Sequence, residues 1–213
     1  MNAFNTVNLA SAILLTSVSH ALTLSIPPSR WIYPLGGAGT SDADTFWTRP
    51  NYHTSPSISR SLDAALSITK TSVSDLDLID IYSCFPIVPK LAASHLGLPI
   101  TGGSKPLTLL GGLTSFGGAG NNYSMHALTE MTRQLRSGKG KKGLVLCNGG
   151  VLSYQYVVVL GKEPRGSAYP VEDALPEYVD DVEVPELAVG AEGECVVEVC
   201  CARYLGSKML VMM

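Results

Sequence analysis

The chain has 213 residues, 46% hydrophobic and only 15% charged, with a formal net charge of −3. Such a balance fills a core and excludes wholesale disorder, and it carries no basic footprint for nucleic acid. Five cysteines and four histidines are scattered without zinc-type spacing. No metal is expected, and an odd cysteine count fits a reducing compartment better than a disulfide framework.

The opening MNAFNTVNLASAILLTSVSHALTLS mimics a signal peptide in its apolar middle and Ser-His-Ala ending, yet no Lys or Arg precedes Arg30. The positive n-region is missing and the apolar run is too short to span a bilayer, so an intracellular protein without a membrane partner is expected. Ser207-Lys208-Met209 is internal and is no peroxisomal signal, so cytoplasm and peroxisome stay open. Leu9–Ser17 reads as a short strand, followed by a helical turn. Pro27-Pro28 breaks the chain, Arg30–Gly37 reads as the next strand, and a polar loop runs to about Ser55.

Ser57–Thr71 places Ile58, Leu62, Ala65, Leu66 and Thr69 on one helical face. A capping-type turn at Ser74-Asp75 leads into a strand around Leu78–Tyr82, and the next helix stops at Gly97 with Pro99 beyond. Pro106–Gly112 reads as a strand running into glycines. The following segment starts with an asparagine able to cap a helix, whose predicted apolar stripe is Met125, Leu128, Thr129, Thr132 and Leu135. Gly143–Gly161 then holds two strands close enough to pair antiparallel, joined through Cys147–Gly150. Beyond Gly161 the chain is acidic and Pro-containing, the composition of a linker or extended arm. Strands alternating with helices predict an α/β layer architecture.

Three corners lie at the ends of predicted strands: Tyr82-Ser83-Cys84-Phe85, Gly111–Gly120, and Cys147-Asn148-Gly149-Gly150. Ligands of open α/β sheets bind beyond the carboxyl ends of strands, so the three are expected to converge. The phrases RWIYPLGGAG, DLIDIYSCFP, GGLTSFGGAGNNYSMHAL and CNGGVLSYQ resemble the C-terminal half of the thiolase superfamily. More closely, they resemble its thiolase-like acetyl-CoA acetyltransferases with an additional C-terminal domain. The resemblance implies an α/β half-domain over residues 7–164, with a mixed five-stranded-type sheet and flanking helices. Residues 165–213 would be an acidic linker and an incomplete appended domain.

The resemblance also implies a chemistry, acyl transfer on acyl-CoA thioesters with no bound cofactor, coenzyme A thioester being the substrate. The family's nucleophilic cysteine lies in an N-terminal half not found here, so the chain is expected to need a companion thiolase half or a homo-oligomer. The alternative is a non-catalytic thiolase-fold protein that pairs with a partner or binds acyl-CoA. The Cys-x-Gly corner is intact as Cys147-Asn148-Gly149, which puts Cys147 where the family keeps its proton-shuttling thiol. The Asn-Glu-Ala-Phe or His-Asp-Cys-Phe corner falls on Tyr82 to Phe85, with Tyr82 in the polar slot and Cys84 and Phe85 matching. The Gly-His-Pro corner falls on Gly117-Gly118-Ala119, with Gly118 in the histidine slot.

A thiol can act as base only when its neighbours lower its pKa, and Gly-rich turns supply N–H donors for an enolate oxygen. Cys147, Tyr82, Cys84 and His126 are therefore the catalytic candidates. Phe85, Gly117, Gly118, Asn121, Asn122, Asn148 and Gly149 are the substrate contacts. Each also has a plain structural reading. Cys147 and Cys84 suit strand-end packing, His126 an exposed helix face, and Asn121 and Asn122 a helix cap. Arg133, Arg136, Lys139, Lys141 and Lys142 suit either coenzyme A phosphates or a solvated helix C-terminus. The glycines Gly111, Gly112, Gly117, Gly118 and Gly120 lack a Walker lysine or dinucleotide fingerprint and suit tight turns.

Overall fold

The computed structural model describes residues 3–45, 48–184, 186 and 192–194, and the backbone of 201–205 and 208–212. Its elements run α1 (Val18–Thr23), β1 (Tyr33–Ser41), α2 (Pro56–Thr69), β2 (Leu78–Ile81), α3 (Ile87–His95), α4 (Tyr123–Arg136), β3 (Lys142–Gly149) and β4 (Tyr154–Gly161). A separate antiparallel pair, β5 (Cys201–Leu205) and β6 (Lys208–Met212), follows. The remainder of the expected appended domain lies outside the described residues.

The main sheet is four-stranded and mixed, in the order β1-β4-β3-β2. β4 runs antiparallel to both β1 and β3, while β2 and β3 are parallel. Alternation along the strands divides the core by face. Leu144, Leu146, Val157 and Val159 pack with Ile58, Leu62 and Ala65 of α2 and Val88 and Ala92 of α3. Val145 and Leu160 point the other way, onto Ala127, Met131 and Leu135 of α4.

Local chemistry explains the element ends. Pro56 opens α2, where a missing N–H costs nothing. The Ser57 N–H donates to Asp42 Oδ1 at 3.1 Å, so a carboxylate from the end of β1 caps α2 in place of Ser55. α3 ends in a left-handed Gly97 at φ +66°, with Leu98 N–H donating to Ala93 O. The turn before β2 is a capping box between Ser72 and Asp75.

Four expectations change. Leu9–Ser17 pairs with no strand among the described residues, and Leu14 is 97% exposed. Pro106–Gly112 is not a strand, so the sheet has four strands rather than five. Ile81 N–H does donate to Leu107 O, but the next amides, Leu109 and Leu110, donate to Asp80 Oδ2 at 2.7 and 3.2 Å. A side chain thus intercepts the donors a ladder would use.

The buried row of α4 is Tyr123, Ala127, Met131 and Leu135, spaced by four, whereas Met125 lies exposed on its flank. Thr129 and Thr132 bond their own helix carbonyls and leave the core to that row. Asn122 does not cap α4 with its side chain, because a single 3-10 turn over Gly120–Asn122 already leads into the helix.

The acidic arm is tied to the sheet. Arg165 donates to Leu35 O and Ile68 O at 2.7 and 3.1 Å. Ser41 N–H donates to Glu177 O, Val179 N–H to Ser41 O, and Thr40 Oγ1 to Pro176 O. The arm thereby runs beside the free edge of β1, which otherwise invites pairing with another chain.

Candidate functional site

The carboxyl ends of β2 and β3 lie side by side, because Ile81 is level with Leu146 in the parallel register. Tyr82 and Cys147 therefore leave the sheet together. With Asn121 of the 3-10 turn before α4 and Ser124 of its first turn, they line one cleft of about 920 Å³. Two of the three predicted corners also meet behind it. Asn148 Nδ2 donates to Cys84 Sγ at 2.7 Å, and Gln155 Nε2 donates to Asn148 Oδ1 at 2.6 Å. The glycine corner joins through packing: Tyr82 stacks on Tyr123 with ring centroids 4.6 Å apart, and Leu113 and Phe116 complete that cluster.

Electrostatics at Cys147 differ from the expectation. Burial pushes the thiol up, the nearby Asp80 pushes it further, and only a hydrogen bond with Ser124 opposes them. The Gly-rich turn does not offset the loss of water, so Cys147 rests as a neutral thiol. Burial likewise raises Cys84, against hydrogen bonds from the Phe85 amide and Asn148. Tyr82 is raised by burial first and by Cys84 second.

Beneath the cleft lies a carboxylate that the sequence reading passed over. Asp80 is 0% exposed, and burial raises its pKa despite the donors from Leu109, Leu110 and Thr108. Its second oxygen, Oδ1, has no hydrogen-bond partner among the described residues. Thr108 Oγ1 in turn accepts from Gly111 N–H at 2.8 Å and Gly112 N–H at 3.2 Å. Four successive amides are therefore consumed by two side chains and are not offered to a ligand. Gly111 and Gly112, at φ +85° and +76°, thus serve the tight turn expected of them. The signal for Asp80 was a lone carboxylate in an apolar strand, Leu-Ile-Asp-Ile-Tyr.

The remaining candidates sit elsewhere. His126 faces Asn122 Nδ2 at 3.1 Å and Phe116 at a ring distance of 5.1 Å, and it does not line the cleft. Asn122 is also engaged by Ser11 Oγ and Leu9 O. Gly118 N–H donates to Phe4 O at 2.7 Å, and Asn5 and Val7 lie over Gly118 and Gly117. The chain's own N-terminal segment thus occupies the donors expected to face substrate. Phe85 is partly exposed outside the cleft, whereas Asn148 and Gly149 line it. The basic cluster occupies the last turn of α4 and the start of β3, five residues or roughly 17 Å along the strand from Cys147. Arg133 pairs there with Glu130 and Arg136 donates to Arg30 O. Among the described residues no three His, Cys, Asp or Glu side chains come together to hold a metal, and no helix is long and apolar enough to cross a membrane.

The profile of the thiolase C-terminal domain-like family matches residues 38–162, more than half of the chain. The chain belongs to that family. This thiolase-type domain is similar to a monomeric SCP2-thiolase-like protein type 1 from Mycobacterium smegmatis, at 35% identity and a TM-score of 0.65. That match covers 70% of this chain and 33% of the other. Human mitochondrial 3-ketoacyl-CoA thiolase shares the fold, at 18% identity and a TM-score of 0.51, covering 68% of this chain and 33% of its own. The thiolase-type chain thus spans about one third of the length of either relative. No curated protein matches it.

Proposed function

We propose that this chain is the proton-handling part of a thiolase-type acyltransferase acting on acyl-CoA thioesters, with Cys147 as its acid/base. One observation supports this most: Cys147, Tyr82 and Asn121 line a single cleft at the carboxyl end of the sheet. In a Claisen condensation a base takes the proton alpha to a thioester carbonyl. The freed electron pair forms the new C–C bond to an acyl group held on the nucleophile, whose thiolate then departs. A resting thiol, as burial makes Cys147, is suited to protonating the coenzyme A thiolate released when that nucleophile is first acylated, and the Cys147 thiolate so formed then takes the alpha proton of the second thioester. The nucleophile that holds the acyl group belongs to a companion half, in keeping with the one-third coverage of the relatives.

The test mixes the full chain with a cysteine-bearing companion half and acetyl-CoA, and follows coenzyme A release. Cys147→Ala is expected to lower turnover about 10²–10⁴-fold, the usual range for a general acid/base. Unchanged turnover refutes the role.

A second reading has its own observation. The two polar slots that the family resemblance implies hold Tyr82 and Gly118, and Gly118 N–H is taken by Phe4 O. A non-catalytic, partner-pairing protein accounts for both. It predicts no acyl-enzyme and no coenzyme A release with any companion half.

A further inference from the structure

The two faces of the sheet are covered unequally. α2 and α3 share one face, while the other carries α4, over β3 and the Leu160 end of β4. Beside it the opposite end of β4 is an uncovered strip, and Tyr154 and Tyr156 stand 44% and 50% exposed there. Its floor is flat because Gly39 has no side chain: a Cβ there would fall 2.2 Å from Tyr156 Cδ2. Met125 and Leu128 of α4 bound the strip on one side. The arm bounds it on the other, presenting Tyr169, Glu172, Asp173 and Glu177.

The charge of this cleft is one-sided. No Lys, Arg or His is among the described residues that line it. None of its three carboxylates takes part in an ion pair between described residues. Asp44, outside the lining, accepts the Tyr154 hydroxyl and is offset by the nearby Arg49. Two cations lie close by: Arg165 lies over the Tyr169 ring of the cleft wall while bonding Leu35 O and Ile68 O, and Arg49 donates to Ala43 O, Val151 O and Ser153 Oγ near Asp44.

We propose that this cleft docks a basic segment of a protein partner, apolar on one side and carrying Lys or Arg on the other. The apolar side covers Met125, Leu128 and the Tyr156–Gly39 floor. The cations meet Glu172, Asp173 and Glu177, and the tyrosine faces add cation–π attraction. The same carboxylates repel the phosphates of coenzyme A, so a nucleotide enters from another side. The proposal rests on the reading that this chain works with a companion, and it adds the chemistry the companion must present.

The test uses the full chain and two fluorescein-labelled 14-residue amphipathic peptides, one of Leu and Lys, the other of Leu and Glu. Anisotropy is read at low and at physiological salt. The Lys peptide is expected to bind more weakly as salt rises, and the Glu peptide not to bind. Glu172→Gln, Asp173→Asn and Glu177→Gln together should weaken the Lys peptide at least about 10-fold, as a loss of steering and attraction implies. These residues are exposed, so circular dichroism should not change. Tyr156→Ser should weaken binding independently. Equal affinity for the neutralised variant, or equal binding of the Glu peptide, overturns the proposal. So does concentration-dependent dimerisation lost in Tyr156→Ser, with no peptide bound, because a second copy is then the occupant. Loss of peptide binding with coenzyme A release intact in the companion-half assay is failure of this surface alone, and intact peptide binding with no effect of Cys147→Ala on that release is failure of the acid/base role alone.

Discussion

Asp80 holds the glycine corner from inside the core, and its removal should be felt in stability. Its Oδ2 accepts from Leu109 N–H and Leu110 N–H at 2.7 and 3.2 Å inside a fully buried site. Asp80→Ala leaves both amides without a partner, at about 1–3 kcal/mol each. Relief of the carboxylate's own desolvation offsets part of that, so the net loss is about 2–4 kcal/mol, a large share of a typical domain stability. Asp80→Asn keeps an acceptor oxygen and should lose only about 0.5–1.5 kcal/mol near pH 4. The two variants also differ with pH. Burial raises the folded pKa of Asp80 above the unfolded value. Its contribution to stability is therefore fully present below the unfolded pKa and is lost as pH rises through the folded one. Asp80→Asn has no such loss, so its deficit should shrink between pH 4 and pH 7, while shifts shared by both proteins cancel. Urea unfolding of all three chains at both pH values measures this. A loss below about 1 kcal/mol for the alanine variant, or equal losses for both variants, refutes the assignment of Asp80 as the anchor of the glycine corner.

Other outcomes follow from neighbouring contacts. Cys147 should react slowly with iodoacetamide at neutral pH and faster as pH climbs past the ordinary thiol range, because burial raises it. Ser124→Ala should slow it further at any given pH, and peptide mass mapping reads both effects. Gly39→Ala drives a methyl into Tyr156 and to 2.5 Å from Gln155 O, so it should cost about 1–3 kcal/mol in urea unfolding. Arg165→Ala removes two charge-assisted bonds to Leu35 O and Ile68 O. Limited proteolysis should then cut the arm between residues 166 and 176 several-fold faster, with the core fragment intact; an unchanged rate would show that Arg165 does not hold the arm.

The sequence by itself determined the helices α2, α3 and α4 and the strands β1 to β4 to within a few residues. Each carries its own period of apolar residues or its own Gly and Pro stop, and these are local signals. It also determined the family, because four phrases follow one another in a single characteristic order along the chain. Only the tertiary structure decided the site, since each of its decisions depends on residues far apart along the chain. Asp80 became an anchor because amides 29 and 30 residues later fold onto it and replace a fifth strand. Cys147 became a raised thiol rather than a lowered one because α4 covers it and a buried carboxylate sits nearby. His126 and Asn122 were drawn away from the cleft by partners that include Leu9 and Ser11, over a hundred residues earlier. The acidic segment, legible as a linker or extended arm, became a wall of the cleft once the open edge of β1 found hydrogen bonds in it.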